Sequence, residues 1–177
     1  MKQVLLIATG GTIACRETEN GLSPALTGEE LLGLMPELNG ICSVGVSDLM
    51  NLDSTDLTAA DRAAIARTVW ENRGGYDGFV IAHGTDTLAY TAALLHHMLP
   101  NIDRPVVLTG SMLPIGVPGS DAPRNLADAF RVAAAGYAGV LAVLHGKIMP
   151  GSNVCKRQWS VADAFVSATA PLAGTIY

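Results

Sequence analysis

Five apolar runs alternate with amphipathic stretches along most of this sequence, and that alternation leaves few architectures open to it. The runs cover residues 4–8, 43–50, 78–82, 105–109 and 140–144. Three of them are nearly continuous, as expected of parallel strands covered on both faces. Helical signals lie between them. Thr27-Gly28-Glu29-Glu30 has the capping-box pattern and opens a helix to about Met35. Thr58-Ala59-Ala60-Asp61 caps a longer one to about Asn72, with Ile65, Ala66 and Val69 on one stripe. Two more helices fit residues 87–98 and 121–135. Repeated strand-then-helix units predict an α/β fold with a doubly wound parallel sheet. Such a sheet places its ligand crevice at the carboxyl ends of the strands. Residues 146–177 are less regular and give no clear sixth unit. No repeat or low-complexity linker divides the 177 residues, which read as one domain.

Composition narrows the partners. Hydrophobic residues make up 49% of the chain, enough for a substantial core, and aromatics only 5%. A net charge of -5, with no basic cluster larger than Lys156-Arg157, argues against nucleic acid. No apolar run is long enough for a membrane span. Met1-Lys2-Gln3 followed by Val4-Leu5-Leu6-Ile7 imitates a signal peptide, but it runs straight into Thr9-Gly10-Gly11-Thr12 with no A-x-A site, so it reads as the first strand. Cys15, Cys42 and Cys155 are scattered, odd in number and without metal spacing, which suits reduced thiols in a cytoplasmic protein.

Two motifs carry the chemistry. Thr9-Gly10-Gly11-Thr12-Ile13-Ala14 closes the first run, and His83-Gly84-Thr85-Asp86-Thr87 closes the third. Each delivers a threonine hydroxyl beside glycine at a strand end. Gly10-Gly11 suits a sharp turn with N–H groups close to a ligand. A dinucleotide loop is the rival there, but the third glycine is missing and the polar stretch 16–20 precedes any helix. A purely structural turn is a second rival. A threonine hydroxyl needs a base or a neighbouring cation to react, and Asp86 and a distant lysine are the available activators. Asp86 also reads as a helix N-cap. His96-His97 at a helix end, His145, Met112 and Met149 read as structural or surface residues.

Together the two motifs resemble the bacterial-type L-asparaginases, whose relatives include glutaminase-asparaginases and an amidotransferase component acting on misacylated Gln-tRNA. The resemblance continues through Leu52-Asp53-Ser54-Thr55, Thr109-Gly110-Ser111-Met112 and Asp121-Ala122-Pro123-Arg124-Asn125. It also takes in Lys156, nine residues before Phe165. It implies a three-layer, flavodoxin- or Rossmann-like sandwich and an amidohydrolase that needs neither metal nor organic cofactor. Thr12 matches the nucleophile that forms an acyl-enzyme. Thr85 matches a second catalytic threonine, grouped with Lys156 and Asp86. Gly11, Asp53, Ser54, Thr55, Thr85, Asp86 and Ser111 match substrate-binding positions: Asp53, Ser54 and Thr55 for the α-carboxylate, Asp86 for the α-ammonium. N–H groups around Thr12 and Thr85 would stabilise an oxyanion, a contribution of roughly 3–4 kcal/mol per donor.

Two departures stand beside the resemblance. Family members often carry a tyrosine in the loop after the first motif, whereas here Gly21-Leu22-Ser23-Pro24 occupies it and Tyr76, Tyr90, Tyr137 and Tyr177 lie elsewhere. The family also has a C-terminal domain, and residues 1–177 match only the N-terminal catalytic one. The expectation is therefore an L-asparagine hydrolase, slowed without that second domain and homo-oligomeric in full length, acting on a small-molecule substrate (L-asparagine, or L-glutamine). Two alternatives are an amidase acting on misacylated tRNA, which the acidic charge disfavours, and a non-enzymatic amino-acid-binding or assembly module.

Overall fold

In a computed structural model, residues 1–18 and 21–177 are described, with backbone alone for 17, 18 and 21–24. Strand β1 (Gln3–Gly10) is buried from Val4 onward. It lies between β4 (Ser43–Leu52) and β5 (Gly78–Ala82), parallel to both. Strands β6 (Pro105–Thr109) and β7 (Gly139–Leu144) extend the parallel run beyond β5. The sheet closes with β8 (Lys147–Pro150) and the short β11 (Gly174–Thr175), both antiparallel to their neighbours, in the order β11-β8-β7-β6-β5-β1-β4. The fold is thus α/β with a mostly parallel central sheet. The five parallel strands follow the flavodoxin-like order, whose direction reverses between β1 and β5.

Alternation along each strand sends side chains to two separate cores. Val4, Leu6, Val80, Ala82, Val107 and Val143 face α1 (Gly28–Gly33) and α4 (Ala122–Ala135). Leu5, Ile7, Phe79, Ile81, Leu108 and Ala142 face α2 (Ala59–Asn72) and α3 (Leu88–Met98). This makes three layers and explains why the central strands read as unbroken apolar runs. Both expected capping boxes form: Thr27 and Thr58 accept from the N–H groups of Glu30 and Asp61, whose carboxylates accept in return.

Two details differ from the sequence reading. The polar stretch after the first motif is a strand at its start, β2 (Cys15–Thr18), paired antiparallel with β3 (Gly21–Pro24); Glu19 and Asn20 lie outside the described residues. The irregular tail contributes β8 and β11 to the sheet edge and a separate ladder of β9 (Val154–Lys156) with β10 (Phe165–Ser167). These strands are two to four residues long, too short to carry a periodic signal.

Candidate active site

The two threonine motifs meet at the carboxyl ends of β1 and β5, where the strand order reverses. Gly11 has φ +76°, a left-handed conformation that side chains resist, and a Cβ there would overlap the Gly84 backbone. Gly84 in turn leaves no room beside Ser54, whose Cβ and Oγ lie 2.6 and 2.7 Å from where a Gly84 Cβ would sit. Glycine at these two positions therefore lets the three loops pack directly against one another. Gly11 is held on both sides. Its N–H donates to Leu52 O at 3.0 Å, and its carbonyl accepts from Ala14 N–H at 3.0 Å and from the Cys15 thiol at 3.4 Å. Thr12 follows at the start of a 3₁₀ turn (Thr12–Ala14) and is half-buried.

Thr85 is buried, and Lys156 reaches it from 71 positions away. Lys156 Nζ donates to Thr85 Oγ1 at 2.8 Å and to Asp86 Oδ1 at 2.7 Å. The β9–β10 ladder holds that lysine in place, pairing Lys156 with Phe165, whose ring lies 6.0 Å from the ammonium. The Lys156 side chain is 7% exposed and that of Asp86 52%, so the pair runs from the interior to the crevice mouth. A cavity of about 350 Å³ opens beside it, lined by Asp86, Tyr90, Cys155, Lys156 and Trp159. Asp86 is not the cap of α3: that position falls to Thr87, whose side chain makes no capping bond to the helix.

The remaining sequence-derived residues divide by where their polar atoms go. Ser54 is buried; its Oγ accepts from Thr87 N–H at 3.4 Å and its carbonyl accepts from Thr87 Oγ1 at 2.7 Å. Asp53 and Thr55 are exposed. The Thr55 N–H and hydroxyl both donate to Asp53, at 2.8 and 2.7 Å, and hold its carboxyl below the usual carboxylate range. Ser111 is fully buried and its hydroxyl donates to Leu113 O at 2.5 Å, so that side chain serves its own loop. Among the described residues no three of His, Cys, Asp and Glu come together as a metal site.

Sequence reasoning assigned no role to the polar groups beneath the crevice. Asp121 accepts from the N–H groups of Met112 and Leu113 at 3.0 and 3.1 Å. Asn125, on the buried face of α4, donates to Gly110 O at 2.9 Å and accepts from His145 N–H at 2.9 Å, tying the ends of β6 and β7 together. An asparagine among the mostly apolar residues of that helix face was the available signal. His83 is fully buried, its Nδ1 2.7 Å from Gly84 O.

The model of the family described as "Asparaginase, N-terminal" matches residues 3–177. The chain is 44% identical over 174 residues to the L-asparaginase of Thermococcus kodakarensis, covering 96% of this chain and 52% of that protein. Against the solved structure of the thermostable L-asparaginase from that organism the TM-score is 0.91, at 43% identity, over 99% of this chain and 54% of the other. A component of the glutamyl-tRNA(Gln) amidotransferase of Pyrococcus abyssi is 40% identical over 178 residues, covering 94% of this chain and 40% of that one. The probable cytoplasmic L-asparaginase of Campylobacter jejuni superposes with a TM-score of 0.85 at 30% identity, over 94% of this chain and 52% of its own. The chain spans about half the length, or less, of the relatives it matches.

Proposed function

The chain belongs to the asparaginase family, and from that premise we propose that it hydrolyses the side-chain amide of L-asparagine to L-aspartate and ammonia through an ester on Thr12. The observation that carries this reading is the bridge from Lys156 Nζ to both Thr85 Oγ1 and Asp86 Oδ1, set beside Thr12 through the Gly11–Gly84 contact. Charge-assisted bonds of this kind are short and strong, and they hold a hydroxyl in one orientation.

In the proposed sequence, Thr12 Oγ1 attacks the amide carbon and a C–O bond forms. The C–N bond then breaks, the threonine proton goes to the departing nitrogen, and ammonia leaves an acyl ester. Water attacks that ester and the ester C–O bond to Thr12 breaks, releasing the carboxylic acid while one of the water's protons goes to Thr12 Oγ1. Lys156 donates to Thr85 Oγ1 and so leaves that hydroxyl's own proton free to point at substrate or water. Asp86, half exposed, suits the substrate's α-ammonium. Asp53, Ser54 and Thr55 form the proposed α-carboxylate stretch, with Gly11 and Ser111 completing the proposed substrate-binding set. Ammonia release from L-asparagine and L-glutamine tests the reaction, and the mass of the quenched protein tests the ester. Absence of both with every amide tried would sink the proposal.

The similarity to the glutamyl-tRNA(Gln) amidotransferase supports a second reading, amide hydrolysis tied to a tRNA-borne substrate. The net charge of -5 weighs against it, and a gel-shift assay with tRNA discriminates the two. A cytoplasmic location and a homo-oligomeric state complete the proposal. The Campylobacter jejuni neighbour, described as cytoplasmic, supports the first, and sedimentation would test the second.

A further inference from the structure

We propose that His83 is a positioning residue whose neutral Nδ1–H form pins the Gly84 carbonyl and so aims the Thr85 N–H toward the reacting carbonyl of the substrate. The inference rests on the amidohydrolase reading and adds to it a residue with no contact to the reacting atoms.

The tautomer follows from what faces each ring nitrogen. Nδ1 lies 2.7 Å from Gly84 O. A carbonyl oxygen only accepts, so the nitrogen facing it carries the proton. At the other end, Nε2 is buried with no hydrogen-bond partner among the described residues. A proton there would be an orphaned donor, which folded proteins tolerate less readily than an under-used acceptor. Both ends of the ring therefore select the same neutral form. Complete burial and the nearby Arg62 guanidinium act against a second proton.

The consequence for Thr85 comes from the rigidity of the peptide. No peptide bond among the described residues is cis, so the Gly84 carbonyl and the Thr85 N–H point in opposite directions within one plane. Holding the carbonyl against a ring sealed in the interior turns the N–H away from it. Among the described residues that N–H has no acceptor of its own. The His83 main chain that carries the ring is itself anchored, because its backbone N–H donates to Thr109 O at 2.9 Å. A flip of the Gly84 peptide is further opposed by the tight packing of Gly84 on Gly11 and Ser54. A preset donor that needs no reorganisation during the reaction is the kind that stabilises a developing oxyanion.

Three variants and one spectrum test this. In His83→Asn the side-chain Nδ2 sits where Nδ1 was and still donates to Gly84 O, whereas His83→Gln displaces the donor and His83→Phe removes it. The expected order of kcat is parent, Asn, then Gln and Phe, with Phe down about tenfold or more and KM changed far less. Nitrogen NMR of the parent should report a protonated Nδ1 and a bare Nε2. An Nε2–H tautomer, or Asn no better than Gln, overturns the proposal. If Phe does not fold, the Asn–Gln comparison decides alone. If no amide is hydrolysed at all, the functional reading falls instead. Hydrogen exchange at the Thr85 N–H then decides this one: faster in Gln than in Asn supports it, and equal rates reject it.

Discussion

Thr12 and Thr85 are held in different ways, and their variants should separate accordingly. Thr85 is buried under the Lys156 ammonium, while Thr12 opens a turn and is half-buried. Thr12→Ala and Thr85→Ala should each lower turnover on the order of a thousandfold or more, since each removes a hydroxyl that the proposed mechanism uses. Their melting temperatures should barely move; retention of most of the parent turnover by either would refute the two-threonine mechanism. Lys156→Met strips Asp86 of its cation and Thr85 of its donor while leaving Ser54 and Thr55 in place. Its kcat should fall much more than its KM rises, and the reverse pattern would reassign the lysine to binding. His83 adds a pH dependence to stability. Burial holds its pKa down at about 4, against the pull of the Gly84 carbonyl and with help from Arg62. Unfolding restores the ordinary value of 6.5, so the unfolded chain takes up the proton first. Stability is complete above that value and declines as pH falls toward 4, by about 3 kcal/mol in total. Denaturation midpoints of parent and His83→Asn across that range measure it; parallel curves would remove His83 as the cause.

The elements that build the crevice owe their boundaries to local chemistry and their arrangement to burial. Thr58 and Asp61 close the capping box of α2, with Thr58 Oγ1 donating to Asp61 at 2.6 Å and Thr58 N–H at 2.8 Å. Thr58→Ala should cost about 1 kcal/mol and lower the melting temperature by roughly 2–4 °C. Turnover should hold, because the cap at Thr58 is exposed and Arg62, the α2 residue that faces His83, is left in place. A matching loss of activity would show that α2 positions the site. At the far end of the chain, β9 and β10 are three residues each, yet their pairing brings Lys156 to Thr85. The ladder is reinforced by Lys147, which donates to Asp163 and to Phe165 O.

Taken as a whole, the molecule closes two cores around one sheet and leaves its crevice open on the Asp86 side. The chain spans about half the length of its L-asparaginase relatives, and we propose that the unmatched half covers that opening. An uncovered crevice keeps the oxyanion donors in water, where they stabilise charge less. Residues 1–177 assayed alone should therefore hydrolyse asparagine slowly, and supplying the second half of a relative, fused or separate, should raise the rate. Equal rates with and without it would show that the site is complete in these residues.

Apolar periodicity and capping chemistry are local, and they determined the five parallel strands, the four helices and the two threonine turns. Residues 78–82 and 105–109 are strands as expected, and Thr27 and Thr58 cap as expected. Local pattern also set the Gly10-Gly11 turn, because only glycine accepts φ of +98° and +76° so cheaply. Contacts between distant positions carry no such signature. Lys156 is chemically an ordinary lysine until the β9–β10 pairing places it 2.8 Å from Thr85. Asn125 is a polar residue on a helix until β6 and β7 present a carbonyl and an N–H to it. Ser111 matches a substrate-binding position, and only the folded loop reveals that its hydroxyl donates to Leu113 O. The antiparallel edge strands exist only because β7 offers β8 an open row of backbone groups and β8 in turn offers one to β11. Tertiary structure decided these features because each depends on a partner that the chain must first fold to meet.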